Sequence, residues 1–284
     1  MKRFLKHRIN QFLPDAVRRA LKRRFEAQFH GPIEHEFLLK QSDGVLRCTI
    51  DERFSFRAPL SCEEQLIRFT TGDGRAEFDA IACAALQGGV LFEIGAHSGV
   101  ISALFCAARP QNRAIAFEPS PILARGLREI RDLNQSGDRM RIEELAIGDR
   151  GGTLEMLIDP VGGFVQARRF EQTMWGQPQC IEVPLERIAD AAARLDVVPN
   201  FIKLDVEGFE YEAIKGSLEF LARHKPLIFL ELHLNYLEER KLSARAVVEM
   251  LQSCRYGFHA YSGARLRGPQ VYDSPLAAIH FVAR

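Results

Sequence analysis

Four residues in the second half of this chain could move a proton or hold a cation: Asp205, Glu207, Glu231 and His233. They come as two pairs, Asp-x-Glu and Glu-x-His, each at the end of an apolar run, Phe201–Leu204 and Leu227–Leu232. Residues two apart share one side of an extended backbone, so each pair aims its side chains the same way. Three carboxylates and an imidazole around one mouth suit removal of a hydroxyl proton. His233 is the leading general base, since imidazole titrates near neutral pH. Asp205, with Glu207 beside it in the catalytic group, would orient the acceptor or the reactive end of a cofactor. The rival reading is an Mg²⁺ ion held by some of Asp205, Glu207, Glu231 and His233, because hard cations prefer oxygen. The plain structural reading has Glu207 and Glu210 capping a helix and Glu231 paired with Lys203.

A second constellation lies upstream, in Val90-Leu91-Phe92-Glu93-Ile94-Gly95-Ala96-His97-Ser98-Gly99-Val100. An acid interrupts a buried-strand pattern, and two glycines bracket the turn that follows. Glycine lets a ligand approach the backbone closely and tolerates positive φ. A dinucleotide fingerprint would read G-x-G-x-x-G, with pyrophosphate on a helix N-terminus. Here the spacing is an acid, one residue, then G-x-x-x-G, and a carboxylate beside a pyrophosphate would repel it. The pattern suits S-adenosylmethionine, whose sulfonium and ammonium groups Glu93 could balance while Gly95, Ala96, His97 and Gly99 run beside its tail. Glu118 follows 25 residues later at the end of Ala114–Phe117 and can accept hydrogen bonds from both ribose hydroxyls. That role belongs to nicotinamide cofactors too. The structural alternatives are an ion pair for Glu93 and a helix N-terminal carboxylate for Glu118.

The elements that must position these groups alternate. Strands are expected at Val90–Ile94, Ala114–Phe117, Met140–Ile147, Phe201–Leu204 and Leu227–Leu232. Helices are expected at Ser98–Ala108, Pro121–Leu133, Leu185–Leu195, Phe209–Arg223 and Ser243–Ser253. Alternation of this kind implies an α/β fold with a doubly wound, mostly parallel sheet. Two last strands without a helix between them, Gly257–Tyr261 and Ala277–Val282, predict an antiparallel edge. Residues 150–185 read as irregular, with one or two edge strands. Upstream, 61–69 and 76–86 read as helices.

Residues 202–210, Ile-Lys-Leu-Asp-Val-Glu-Gly-Phe-Glu, together with FEIGAHSG, AFEPSP, LAIGD and IFLELH, resemble the FkbM-type family of S-adenosylmethionine-dependent methyltransferases. The resemblance runs from about Glu77 to the end of the chain. It implies a Rossmann-like class I methyltransferase fold with a seven-stranded sheet, and methylation of a hydroxyl on a sugar, glycan or natural-product scaffold. It also implies that Asp205, and Ala146 of LAIGD, line the cofactor. The family commonly has Asp at the position of Glu93 and Asn at that of His97. Two other readings compete: an NAD-dependent oxidoreductase, and a non-catalytic membrane-associated module with a degenerate pocket.

Composition bounds the rest. The chain has 284 residues, 46% hydrophobic and 26% charged, ordinary for a soluble globular protein. Residues 1–30 hold nine Lys/Arg against two acids, on an apolar stripe of helical period. That segment predicts a basic amphipathic helix, packed on its own domain or in peripheral contact with an anionic membrane. The expected division is an extension over 1–60, helical then β-rich, and a methyltransferase domain over 61–284. The body beyond residue 30 is mildly acidic, which argues against a nucleic-acid partner and leaves a small-molecule or glycan acceptor. The six cysteines form no C-x-x-C pair, so a thiolate zinc site is not expected and a reducing compartment fits. With no long apolar run and no secretion signal, the expected location is cytoplasmic, at most peripheral to the inner face of the membrane.

Overall fold

The computed structural model describes residues 35–71, 74–159, 164–165, 177–273 and 278–284. The basic segment 1–30, Trp175 and the Arg168–Phe170 stretch fall outside the described residues.

An antiparallel sheet comes first, made of β1 (Phe37–Ser42), β2 (Val45–Ile50) and β3 (Phe54–Pro59). Its alternation buries Leu46, Cys48, Ile50 and Phe56 against helices α1 (Glu63–Thr71) and α2 (Arg75–Gln87). The alternating unit then begins with β4 (Val90–Ile94), α3 (Val100–Ala108), β5 (Arg113–Phe117), α4 (Pro121–Leu133) and β6 (Met140–Glu143). Helix α4 starts with Ser120 as N-cap, its hydroxyl accepting from the Leu123 N–H, and Pro121 in the first turn.

A four-stranded sheet follows, in the order β7 (Ala146–Ile147), β10 (Gln179–Glu186), β8 (Gly152–Ile158), β9 (Phe164–Val165). The chain returns through α5 (Ile188–Arg194), β11 (Phe201–Leu204), α6 (Glu210–Lys215), α7 (Leu218–His224) and β12 (Leu227–His233). It ends with α8 (Leu234–Glu239), α9 (Ala244–Ser253), β13 (Phe258–His259), β14 (Arg265–Leu266) and β15 (Ala278–Ala283).

The central sheet has the order β14-β13-β15-β12-β11-β4-β5-β6, mostly parallel, with β15 antiparallel to β12. Among the described residues the central sheet has eight strands where seven were expected. The difference is β14, a two-residue strand pairing Arg265 and Leu266 with His259 and Phe258 at the edge. Three other expectations need correction. Met140–Ile147 is two strands in two sheets, β6 in the central one and β7 beside β10. Residues 185–186 end β10 and leave the helix to Ile188–Arg194. The Phe209–Arg223 helix breaks between α6 and α7 at Gly216 and Ser217.

Each central strand is buried on both faces. On one face Leu91, Phe201, Phe229 and Val282 pack against α2 and α3; on the other Phe92, Ile94, Ile202, Leu204, Ile228 and Leu230 meet the helices opposite. Register puts Lys203 beside Glu93 and Glu231 beside His280. Period-two alternation then sets Glu93, Lys203, Asp205, Glu231 and His233 on the α2 side of the sheet, toward its carboxyl end. A mostly apolar layer therefore ends in a stripe of charge. Among the described residues no helix is long and apolar enough to cross a membrane.

Candidate functional site

The stripe is a connected ionic cluster. Lys203, 5% exposed, places its Nζ 2.8 Å from Asp205 Oδ2 and 3.7 Å from Glu77 Oε1 of α2. His233 directs Nε2 toward Glu207 Oε2 at 3.3 Å, Glu231 Oε1 at 3.4 Å and Asp205 Oδ1 at 4.0 Å. Its other nitrogen, Nδ1, is 2.9 Å from Glu210 Oε1, and Tyr236 stacks on the ring. The same Glu210 oxygen accepts from the Gly208 N–H at 3.0 Å. His280 and the Tyr261 hydroxyl complete the rim, against Glu231 and Glu77 respectively.

The four residues expected to converge do so, though not all by the expected route. Glu231 and His233 reach the cluster by strand alternation. Glu207 lies beyond the end of β11 in a left-handed conformation, φ +51°, and the turn swings its side chain to His233. Glu210, expected as a helix cap, is wholly buried and holds the imidazole. Lys203 pairs with Asp205 in preference to Glu231. Sequence reasoning missed Glu77, Glu210 and His280 as members. Lys203 in the middle of an otherwise apolar strand was the available signal, because a buried ammonium requires carboxylates around it.

Charge follows from this arrangement. Burial pushes Asp205 upward, but the Lys203 ammonium outweighs it and holds the carboxyl below its ordinary range. Burial and the Asp205 charge raise Glu231 to about 8, so this carboxyl keeps its proton at neutral pH. For His233, burial acts downward; the Glu210 hydrogen bond and the charges of Glu207, Glu210 and Asp205 overcome it and lift the imidazole to about 9. The resting cluster thus contains two cations, Lys203 and His233.

These residues suit Mg²⁺ poorly. Ligand atoms of Asp205, Glu231 and His233 lie within 4.8 Å of one another, but Lys203 already gives Asp205 a cation at 2.8 Å. A divalent ion would have to compete with the ammonium and displace the proton of the imidazolium.

At the first loop, Gly95 has φ +82°, and a Cβ there would lie 1.8 Å from the Asp205 carbonyl oxygen. Its glycine is demanded by the β11 turn packed against it. Gly99, φ +77°, is similarly closed in by Leu127 and Met140. Glu93 is a further correction. Its carboxylate accepts from the Ser102 N–H at 2.9 Å and from the Ser102 hydroxyl, in the first turn of α3. The carboxylate is buried and faces that helix terminus, so it is not turned outward to balance a cofactor ammonium. Ala146 lies in the small sheet, packed in a cluster with Leu185 and Val183.

Glu118 does stand at the end of β5, where it accepts from the His97 N–H at 2.8 Å and the Ser120 N–H at 2.9 Å. Burial lifts it to about 7, and those two hydrogen bonds offset only part of the effect. Among the described residues no cationic side chain bonds this buried carboxyl, and the exposed His97 beside it sits in a left-handed turn. The arrangement suits the hydroxyl donors of a ribose, which S-adenosylmethionine and nicotinamide cofactors share.

The family described as "Methyltransferase FkbM domain" matches residues 93–258, more than half of the chain. A "2-O-methyltransferase NoeI" of Sinorhizobium fredii is 30% identical over 181 residues, which cover 58% of this chain and 71% of that protein. Among solved structures, the methyltransferase FkbM of Methylobacillus flagellatus KT overlaps with a TM-score of 0.40 at 18% identity. That overlap covers 69% of this chain but only 43% of the other. An O-methyltransferase of Bacillus cereus overlaps with a TM-score of 0.44 at 12% identity, over 79% of this chain and 86% of the other.

Proposed function

This chain belongs to the methyltransferase FkbM family, and we propose that it methylates a hydroxyl oxygen of a sugar, glycan or natural-product scaffold. S-adenosylmethionine, when bound, supplies the electrophilic methyl group. The family assignment supports the cofactor, and a relative named as a 2-O-methyltransferase supports oxygen as the acceptor atom. The observation that carries the acceptor chemistry is His233, oriented at Nδ1 by Glu210 and presenting Nε2 to the carboxylates at the mouth.

In this reading Glu118 accepts hydrogen bonds from the ribose, and the Ala96–His97 backbone lies along the amino-acid tail. Asp205, fixed by Lys203, orients the acceptor. In its neutral form, the minor one at neutral pH, His233 accepts the hydroxyl proton at Nε2, and Glu210 stabilises the imidazolium that results. Much of the acceleration comes from holding the acceptor in line.

Calorimetry with S-adenosylmethionine, S-adenosylhomocysteine and NAD⁺ tests the cofactor. Transfer of labelled methyl to a panel of saccharides, read by mass spectrometry, tests the acceptor. Binding of the first two compounds and O-methylated product are expected. Binding of NAD⁺ alone, or label found only on nitrogen or carbon, would overturn the reading.

A further inference from the structure

A second histidine, remote in sequence from the cluster, makes a different kind of contact. His35 precedes β1, Asp51 follows β2, and Cys83 lies on α2. His35 Nδ1 is 2.6 Å from Asp51 Oδ2, and its Nε2 is 3.2 Å from Cys83 Sγ. We propose that Cys83 is a nucleophilic thiol activated by His35 and Asp51, a reactive site for small disulfides separate from the methyl-transfer cluster.

The tautomer is set by chemistry. Burial acts upward on Asp51, but the His35 ring and the Glu36 N–H outweigh it, so its carboxyl lies below the ordinary range and is an acceptor only. Nδ1 therefore donates to Asp51, and Nε2 is the ring nitrogen that faces the thiol. The backbone of His35 is also held, through its own N–H and carbonyl. The His35 N–H donates to Asp79 Oδ1 at 3.0 Å, Arg75 Nε donates to Asp79 Oδ2 at 3.0 Å, and Arg75 also bonds the His35 carbonyl. A nucleophile within reach of a base, itself oriented by a carboxylate, is the arrangement that makes a protonated nucleophile reactive.

Cys83 needs such a base. Burial, then the Asp79 and Asp51 charges, push its thiol up to about 11, so free thiolate is scarce at neutral pH. It is nonetheless half-buried, whereas Cys48, Cys62, Cys106 and Cys254 are buried. In the reaction, the Cys83 sulfur attacks one sulfur of R–S–S–R. The new Cys83–S–R bond forms, the old S–S bond breaks, and RS⁻ departs. The thiol proton passes to His35 Nε2 and on to the departing sulfur, giving RSH. Cys83 is oxidised to the mixed disulfide as the reagent is reduced.

The alternative, bonds that merely tie the segment before β1 to α2, predicts the opposite response to mutation. Full-length protein, His35→Gln and Asp51→Asn would be treated with dithionitrobenzoate at neutral pH. Peptide mass spectrometry then follows each cysteine, with exposed Cys180 as internal standard. Activation predicts that His35→Gln slows Cys83 about a hundredfold relative to Cys180, and Asp51→Asn less. An unchanged or faster Cys83 in His35→Gln overturns the proposal, since loosening a purely structural tie exposes the thiol. Should the variants fold poorly, the wild type decides: slower reaction in D₂O at Cys83 than at Cys180 supports base assistance, and equal solvent effects overturn it.

Discussion

His35 and His233 are built alike on one side and unlike on the other. Each ring is buried, and each gives Nδ1 to a carboxylate, Asp51 at 2.6 Å and Glu210 at 2.9 Å. At Nε2 His35 meets a single thiol, whereas His233 meets Glu207, Glu231 and Asp205. Orientation is thus a common device, and what stands at the other nitrogen differs. Surrounded by acids, His233 rests as an imidazolium; among the described residues, the His35 ring meets one carboxylate, Asp51, and one thiol, Cys83.

The largest expected effect comes from removing the acid-surrounded ring. His233→Ala should lower methyl transfer by about a hundredfold to ten-thousandfold, measured at saturating cofactor. Turnover left intact would remove His233 as base. Next in size is pH. Since His233 titrates at about 9, its neutral form is the minor one at neutral pH. Methyl transfer should then rise about tenfold per unit of pH and level off above that value. Stability should move the other way. The folded-state value is raised, so the imidazolium contribution is complete below about 6.5 and is lost as pH climbs through about 9.

Glu210→Gln should move the inflection of the rate profile down toward the ordinary imidazole range, since the Glu210 hydrogen bond is a main cause of the raised His233 value. Denaturation in urea should show a loss of about 2 kcal/mol from the weakened charged hydrogen bond. Asp51→Asn should cost less, about 1 kcal/mol, and leave methyl transfer unaltered. The smallest effect is expected from EDTA. Turnover should be unchanged, because Lys203 already gives Asp205 the cation a metal would bring.

The sequence made one of these two regions visible and hid the other. Asp205, Glu207, Glu231 and His233 follow apolar strand runs, so alternation and the parallel sheet were enough to bring them together. Glu210 and Glu77 were not visible as partners because a helix and a strand end must first be packed before their carboxylates face inward. The triad of His35, Asp51 and Cys83 joins three elements with no shared motif, and its convergence depends on how a three-stranded sheet lies on α2. The α/β architecture and the antiparallel edge were legible from alternation. The division of Met140–Ile147 between two sheets was not, since both halves are equally apolar. Glu93 was misjudged for a similar reason: a carboxylate followed by glycine does not say whether it faces a ligand or the first turn of its own helix.

Gly95 and the Asp205 carbonyl leave no room for even a methyl group between them. The turns after β4 and β11, far apart along the chain, therefore close together or not at all. That pairing joins segments distant along the chain, which makes it one of the slower events of assembly. Both turns take their shape together with it, so neither is preformed in a chain whose sheet is incomplete.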